Sequence, residues 1–180
     1  MNRKILYFLP VLLILFVWQS CENPDASIFG KWKLNSKKST DLVTWRYRQL
    51  EMTIRDSGDK IEIINHWKSR RAGDWIDSVA VVPGGDTTRV LVKSPIWPEN
   101  WYMGVLSLPN TEKKISGYWN KPNKDLTTFT KQLVQISQGE ALVETERQFY
   151  VNRRGDELTL IEKRSTRPTE ILMVFDRITE

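Results

Sequence analysis

The chain has 180 residues, 40% hydrophobic and 27% charged, with a formal net charge of +5. Those proportions suit one folded domain with a well-buried core and exclude a low-complexity chain. Arg3 and Lys4 carry part of the charge, and an excess of about +3, scattered over pairs such as Lys37/Lys38, Arg70/Arg71, Lys113/Lys114 and Arg153/Arg154, is too small for a nucleic-acid footprint. The first element in chain order follows Lys4 directly. Ile5 to Trp18 is uncharged and almost wholly apolar, interrupted only by Pro10. As a helix it would reach ~21 Å, short of the ~30 Å hydrocarbon core of a bilayer. That length fits the apolar stretch of an export signal better than a permanent span, and residues 1–20 are expected to be a signal peptide.

Cys21 is the single cysteine and stands where the apolar leader turns polar at Glu22, Asn23, Pro24 and Asp25. A lone cysteine cannot staple a fold. Its position, with the small Ser20 before it, resembles the lipobox of bacterial lipoproteins, although Trp18 and Gln19 depart from the usual residues of that motif. The resemblance implies cleavage before Cys21 by signal peptidase II, a diacylglyceryl thioether on its sulfur and a further acyl chain such as palmitate on its amine. Several acyl chains at ~0.8 kcal/mol per buried methylene would hold the protein at the membrane almost irreversibly. Glu22 in place of aspartate after the cysteine favours the outer membrane of the cell envelope. Residues 21–28 then read as a tether and 29–180 as the folded domain.

From Phe29 onward the texture is period two. Leu50, Met52 and Ile54 alternate with polar residues, and Ser57-Gly58-Asp59 turns the chain into Ile61, Ile63 and Trp67. Val79 and Val81 precede the turn Gly84-Gly85-Asp86, and Val90 and Val92 follow it. Trp101, Met103 and Val105 alternate, as do Ile115, Gly117 and Trp119. Val143, Thr145, Arg147, Phe149 and Val151 lead to the turn Arg154-Gly155-Asp156, then Leu158 and Leu160, a turn at Arg167-Pro168, and Ile171, Met173 and Phe175. This is an all-β pattern of eight to ten strands joined by hairpin turns. Short connections throughout favour an antiparallel up-and-down barrel.

Phe29-Gly30-Lys31-Trp32-Lys33-Leu34-Asn35, with Lys38 and Ser39 just after, resembles the opening of lipocalin-like barrels, where a Gly-x-Trp motif starts the first strand. The closing segment, from the Arg-Gly-Asp-Glu turn to Val174-Phe175-Asp176-Arg177, is similar to the end of the same domains. The resemblance implies that Trp32 packs across the base of the barrel and is structural. It says little about a ligand.

Chemistry is sparse. His66 is the single histidine, so a multi-histidine metal site lacks parts and a serine triad would have to rest on this one ring. No spacing singles out a carboxylate pair, and neither a catalytic residue, a metal nor a cofactor is expected. Arg154-Gly155-Asp156 reads as hairpin chemistry rather than an adhesion signal. The tryptophans are the remaining signal, because large aromatics either fill a barrel or line its cavity. Trp67, Trp101 and Trp119, in register with Ile63, Met103 and Ile115, are the expected ligand-binding set, around a cavity of ~300–1,000 Å³. Trp97, between Pro95 and Pro98, is expected in a loop at the mouth. The leading reading is a membrane-anchored lipoprotein whose barrel binds or carries a small apolar ligand. The alternative is an envelope interaction module that meets glycan or a protein partner through exposed aromatics, and an enzyme on the same barrel comes third.

Overall fold

The computed structural model describes residues 26–40, 49–69, 73–99 and 104–179. The signal peptide and Cys21 lie outside them, as do Trp101 and Met103. Eleven strands are described: β1 (Gly30–Leu34), β2 (Gln49–Asp56), β3 (Ile61–Lys68), β4 (Trp75–Val81), β5 (Thr88–Leu91), β6 (Leu106–Ser107), β7 (Glu112–Lys121), β8 (Asp125–Ile136), β9 (Gly139–Val151), β10 (Glu157–Arg164) and β11 (Arg167–Arg177). They form one antiparallel sheet in the order β4-β3-β2-β1-β11-β10-β9-β8-β7-β5, with the two-residue β6 beside β8. The up-and-down architecture expected from the hairpin turns is the one found, with β1 joining β11 to bring the two ends of the domain together.

The sheet curls until β4 and β5, consecutive in sequence, face each other without a hydrogen-bonded ladder. Among the described residues the gap is bridged at one end, where Pro83 pairs with Gly117 of β7 and the Gly84 N–H donates to the Gly117 carbonyl at 2.7 Å. Gly117 is required there. A Cβ on it would lie 2.6 Å from the Thr127 carbonyl oxygen and 2.8 Å from Val81 Cγ1. Toward Trp75 and Leu91 the two edge strands diverge and leave an open seam.

Inward residues change character along the barrel axis. At the closed end Trp32, Met52, Ile54, Leu126, Leu158, Ile171, Met173 and Phe175 pack into one core, all fully buried. The Trp32 indole N–H donates to the Ile28 carbonyl at 2.8 Å, and the Arg177 guanidinium lies 4.1 Å above the ring. Arg177 also donates to the carbonyls of Phe29 and Ser27, at 2.9 and 2.5 Å, and to that of Gly155. Trp32 therefore has the structural position implied by the Gly-x-Trp resemblance. Gly30 is the motif's other fixed point, since its φ is +137° and a Cβ would meet Arg177 Nη1 at 2.6 Å. Ile28, placed in the tether by the sequence reading, is fully buried in this core, and its N–H donates to the Asn123 carbonyl at 2.7 Å. Packing thus begins by Ala26, which a composition shift cannot reveal because the first buried residues precede the first strand.

One strand has no counterpart in the apolar rhythm of the sequence. β8 runs for twelve residues, and between Leu126 and Val134 its inward positions are Thr128, Thr130 and Gln132. A strand whose buried face is hydroxyl and amide gives no period-two apolar signal.

Candidate functional site

Following the inward face of each strand away from the closed end, apolar residues give way to polar ones at the same height. On β3 Ile61 and Ile63 are followed by Asn65, and on β4 Val81 and Val79 by Asp77. On β7 the step is from Ile115 to Lys113, on β9 from Phe149 to Arg147, and on β10 from Leu160 to Glu162 and Arg164. The period-two register of neighbouring strands stacks these residues into a belt across the interior.

Three of them form a buried ion cluster with Glu99 from a loop. Arg147 Nε donates to Glu162 Oε2 at 2.5 Å and Arg147 Nη2 to Glu99 Oε1 at 3.1 Å. Arg164 Nε donates to the other Glu162 oxygen, and its Nη2 is 3.8 Å from Glu99 Oε2. Glu162 and Arg164 are sealed from solvent, while the Arg147 side chain keeps 22% of its surface. Burial pushes the Glu162 carboxyl up, but the two guanidiniums outweigh it and hold the group below the usual carboxylate range. For Glu99 burial wins over Arg147, with Glu162 adding repulsion, and its carboxyl is raised. Burial alone would weaken Arg147 as a cation, yet Glu162 and Glu99 strengthen it.

Glu99 brings its loop with it. Trp97 Nε1 donates to Glu99 Oε2 at 2.6 Å, and the Arg164 guanidinium lies 5.0 Å from the Trp97 ring centre. Trp97 packs with Val134 and Val143 in a second small core, so the loop expected at the mouth is tucked inside it.

Between the ion cluster and the seam lies a cavity of about 360 Å³. Trp67, Trp75 and Trp97 supply its flat walls, and Ile76, Val90, Val92 and Ile96 border the opening. Asn65, Asp77, Lys113, Thr130, Gln132, Thr145 and Arg147 form the inner wall. Asp77 is committed, accepting from the Trp67 indole at 2.9 Å and from the Asn65 amide at 3.4 Å. Deeper in the barrel only about 20 Å³ remains, between residues such as Met52, Ile63, Ile115 and Phe149. The volume lies within the range of small-molecule sites, which are concave and carry a few convergent polar groups.

The structure distributes the expected site residues unevenly. Trp67 walls the cavity, and Ile63 and Ile115 lie one layer below it. Trp119 is elsewhere. Its ring meets Phe29 edge-on at 6.0 Å between centres and packs on the closed-end core. It lies four steps along β7 from Ile115, a rise of about 13 Å that carries it past the cavity to the base. Nor is the lining the apolar one expected, because residues of the polar belt form its inner wall. His66 faces outward, with Nε2 2.9 Å from Asp74 Oδ2. Arg147, Glu162, Lys113 and Asp77 were not expected at the site. Their parity was the available signal, since each occupies an inward position in a strand whose deeper inward residues are apolar.

Comparison with known proteins adds little. No family model matches the sequence, and no curated protein matches it significantly. Among solved structures, the fatty-acid-binding protein isolated from Manduca sexta L is similar at 11% identity and a TM-score of 0.44, over 83% of this chain and 99% of that one. The fold described above rests on the strand pairing of the chain itself.

Proposed function

We propose that this chain is a membrane-anchored lipoprotein of the bacterial cell envelope, held by lipid on Cys21, whose barrel binds or carries one small and largely apolar molecule in the seam cavity. The observation that carries the reading is the cavity itself: about 360 Å³ walled by Trp67, Trp75 and Trp97 and reached between β4 and β5. A barrel of this size with no such role would close its seam and fill its interior with side chains, as it does at the closed end. The anchor is supported by the short apolar leader and by the place of Cys21 after it, and Glu22 favours the outer membrane. A carrier rather than a catalyst fits the polar belt, where Arg147 and Arg164 engage Glu99 and Glu162.

The test is energy transfer from tryptophan to neutral 1-anilinonaphthalene, with the full chain in phosphatidylcholine vesicles and protein-free vesicles as background. Saturable transfer is expected, weakened about tenfold or more by Trp67→Ala or Trp97→Ala, since each removes a wall of the site. Transfer that rises linearly with dye, or that neither variant changes, would refute the reading.

A further inference from the structure

The belt holds one cation that the protein does not use. Arg147 and Arg164 are ion-paired, but Lys113, on the same inner wall, has no hydrogen bond and no acid within 4.0 Å among the described residues. Asp77, the acid that acts on it most strongly, is already an acceptor for Trp67 and Asn65, and Glu99 is tied to Arg147. Lys113 is half-buried, and a chain with no use for a charge on this wall would carry an apolar residue or threonine there, as β7 and β8 do elsewhere. Its position opposite three indoles is therefore informative.

We infer that Lys113 is the residue that selects the ligand of this cavity, and that the ligand is a compact ring-bearing molecule with a single anionic group, a carboxylate or sulfonate. The inference rests on the seam cavity being a binding site and names the class of molecule it takes. The ring follows from Trp67, Trp75 and Trp97, whose faces stack on a flat or alicyclic body. Compactness follows from the closed-end core, which leaves no channel for a long chain beyond the cavity. The single charge follows from the inner wall, where Lys113 is the one ammonium and Arg147 is engaged by Glu99 and Glu162; Lys93, the other lysine of the lining, is exposed to water at the opening. An anion seated on Lys113 gains a charge-assisted bond in a site shielded from water, where such bonds are strongest. Desolvation holds the Lys113 amine below its ordinary range, and an incoming anion raises it again by supplying a counter-charge.

A matched pair of dyes tests this. 1-Anilinonaphthalene-8-sulfonate differs from 1-anilinonaphthalene by the sulfonate alone, so the ratio of their affinities isolates the charge. With the full chain in phosphatidylcholine vesicles at pH 7, the anionic dye is expected to bind about tenfold tighter than the neutral one. Lys113→Met should erase that ratio. Lys113→Arg should keep most of it, and Lys114→Met, on the exposed face of β7, should leave it whole. An equal affinity of the wild-type chain for both dyes, or a ratio that survives in Lys113→Met, would overturn the inference while leaving the binding site standing. Failure of both dyes to bind would overturn the site and the inference together.

Discussion

Trp32 shows how much one side chain holds. It is fully buried, hydrogen-bonded to Ile28 and covered by Arg177, which also gathers the carbonyls of Ser27, Phe29 and Gly155. Trp32→Ala is expected to cost about 3–5 kcal/mol in denaturant unfolding, the range for truncating a buried aromatic. Glu162 tests the ion cluster at the same scale. Removing its charge leaves two buried guanidiniums short of an acid, so Glu162→Gln should destabilise by about 3–5 kcal/mol. The two acids of the cluster pull stability in opposite directions with pH. Glu162, held below its usual range, contributes stability that is present above that range and is lost as pH falls through its lowered pKa. Glu99, raised by burial, is stabilising only while protonated, so its effect declines as pH climbs from the usual carboxylate range through its raised value. Stability measured against pH should therefore fall more steeply on the acid side in the wild type than in Glu162→Gln, and equal slopes would count against the cluster.

At the scale of elements, the barrel is a meander that stops one ladder short of closure. β4 and β5 are edges, and exposed Ile76 and Leu91 stand on either side of the gap. What keeps the edges from separating fully is the contact of Pro83 and Gly84 with Gly117. Gly117→Val would drive its side chain into the β8 backbone and Val81, a clash of the kind that costs about 1–3 kcal/mol where a core is overpacked. The expected result is a lower unfolding midpoint and faster amide exchange in β4 than in β10, which is paired on both sides. Uniform exchange across the two strands would mean that the bridge does not set the seam.

For the whole molecule, two measurements bear on what the chain is and where it resides. A far-ultraviolet spectrum of the chain from about Asp25 onward should be dominated by β-structure, with helix far below the ~30–35% of an average domain. In cells, Cys21→Ser should abolish acyl labelling and leave the leader uncleaved by signal peptidase II, whereas labelling that persists would remove the anchor. Lys113 adds a pH signature of its own. The groups acting on it are Asp77 from β4, Glu99 from the loop and Arg147 from β9. Because its pKa is depressed, preference for an anionic dye should be full at low pH and decline as pH rises through that lowered value, below the ordinary lysine range.

The sequence by itself determined the export leader and lipobox as expectations, the all-β class, the hairpin order and the structural role of Trp32. Each is written in local terms: an apolar run, a turn signal, a period of two, a motif. The cavity was legible only in part. Trp67 could be found from its apolar register, because burial of an aromatic among aliphatics is a local pattern. Trp119 shares that pattern and lies at the base instead, since parity gives the face of a strand and not the height along the barrel. The polar belt escaped for the complementary reason. Arg147 could be placed on the face of Val143 and Phe149 but not assigned a partner, Lys113 read as one of a pair of solvated bases, and nothing singled out Glu162, Arg164 or Asp77. Only the register of β3, β4, β7, β9 and β10 brings them to one level, where low dielectric and close pairing decide which are neutralised within the protein. Tertiary structure alone also placed the seam between β4 and β5, because closure depends on how the twist of the sheet and the close approach at Gly117 add up around the barrel.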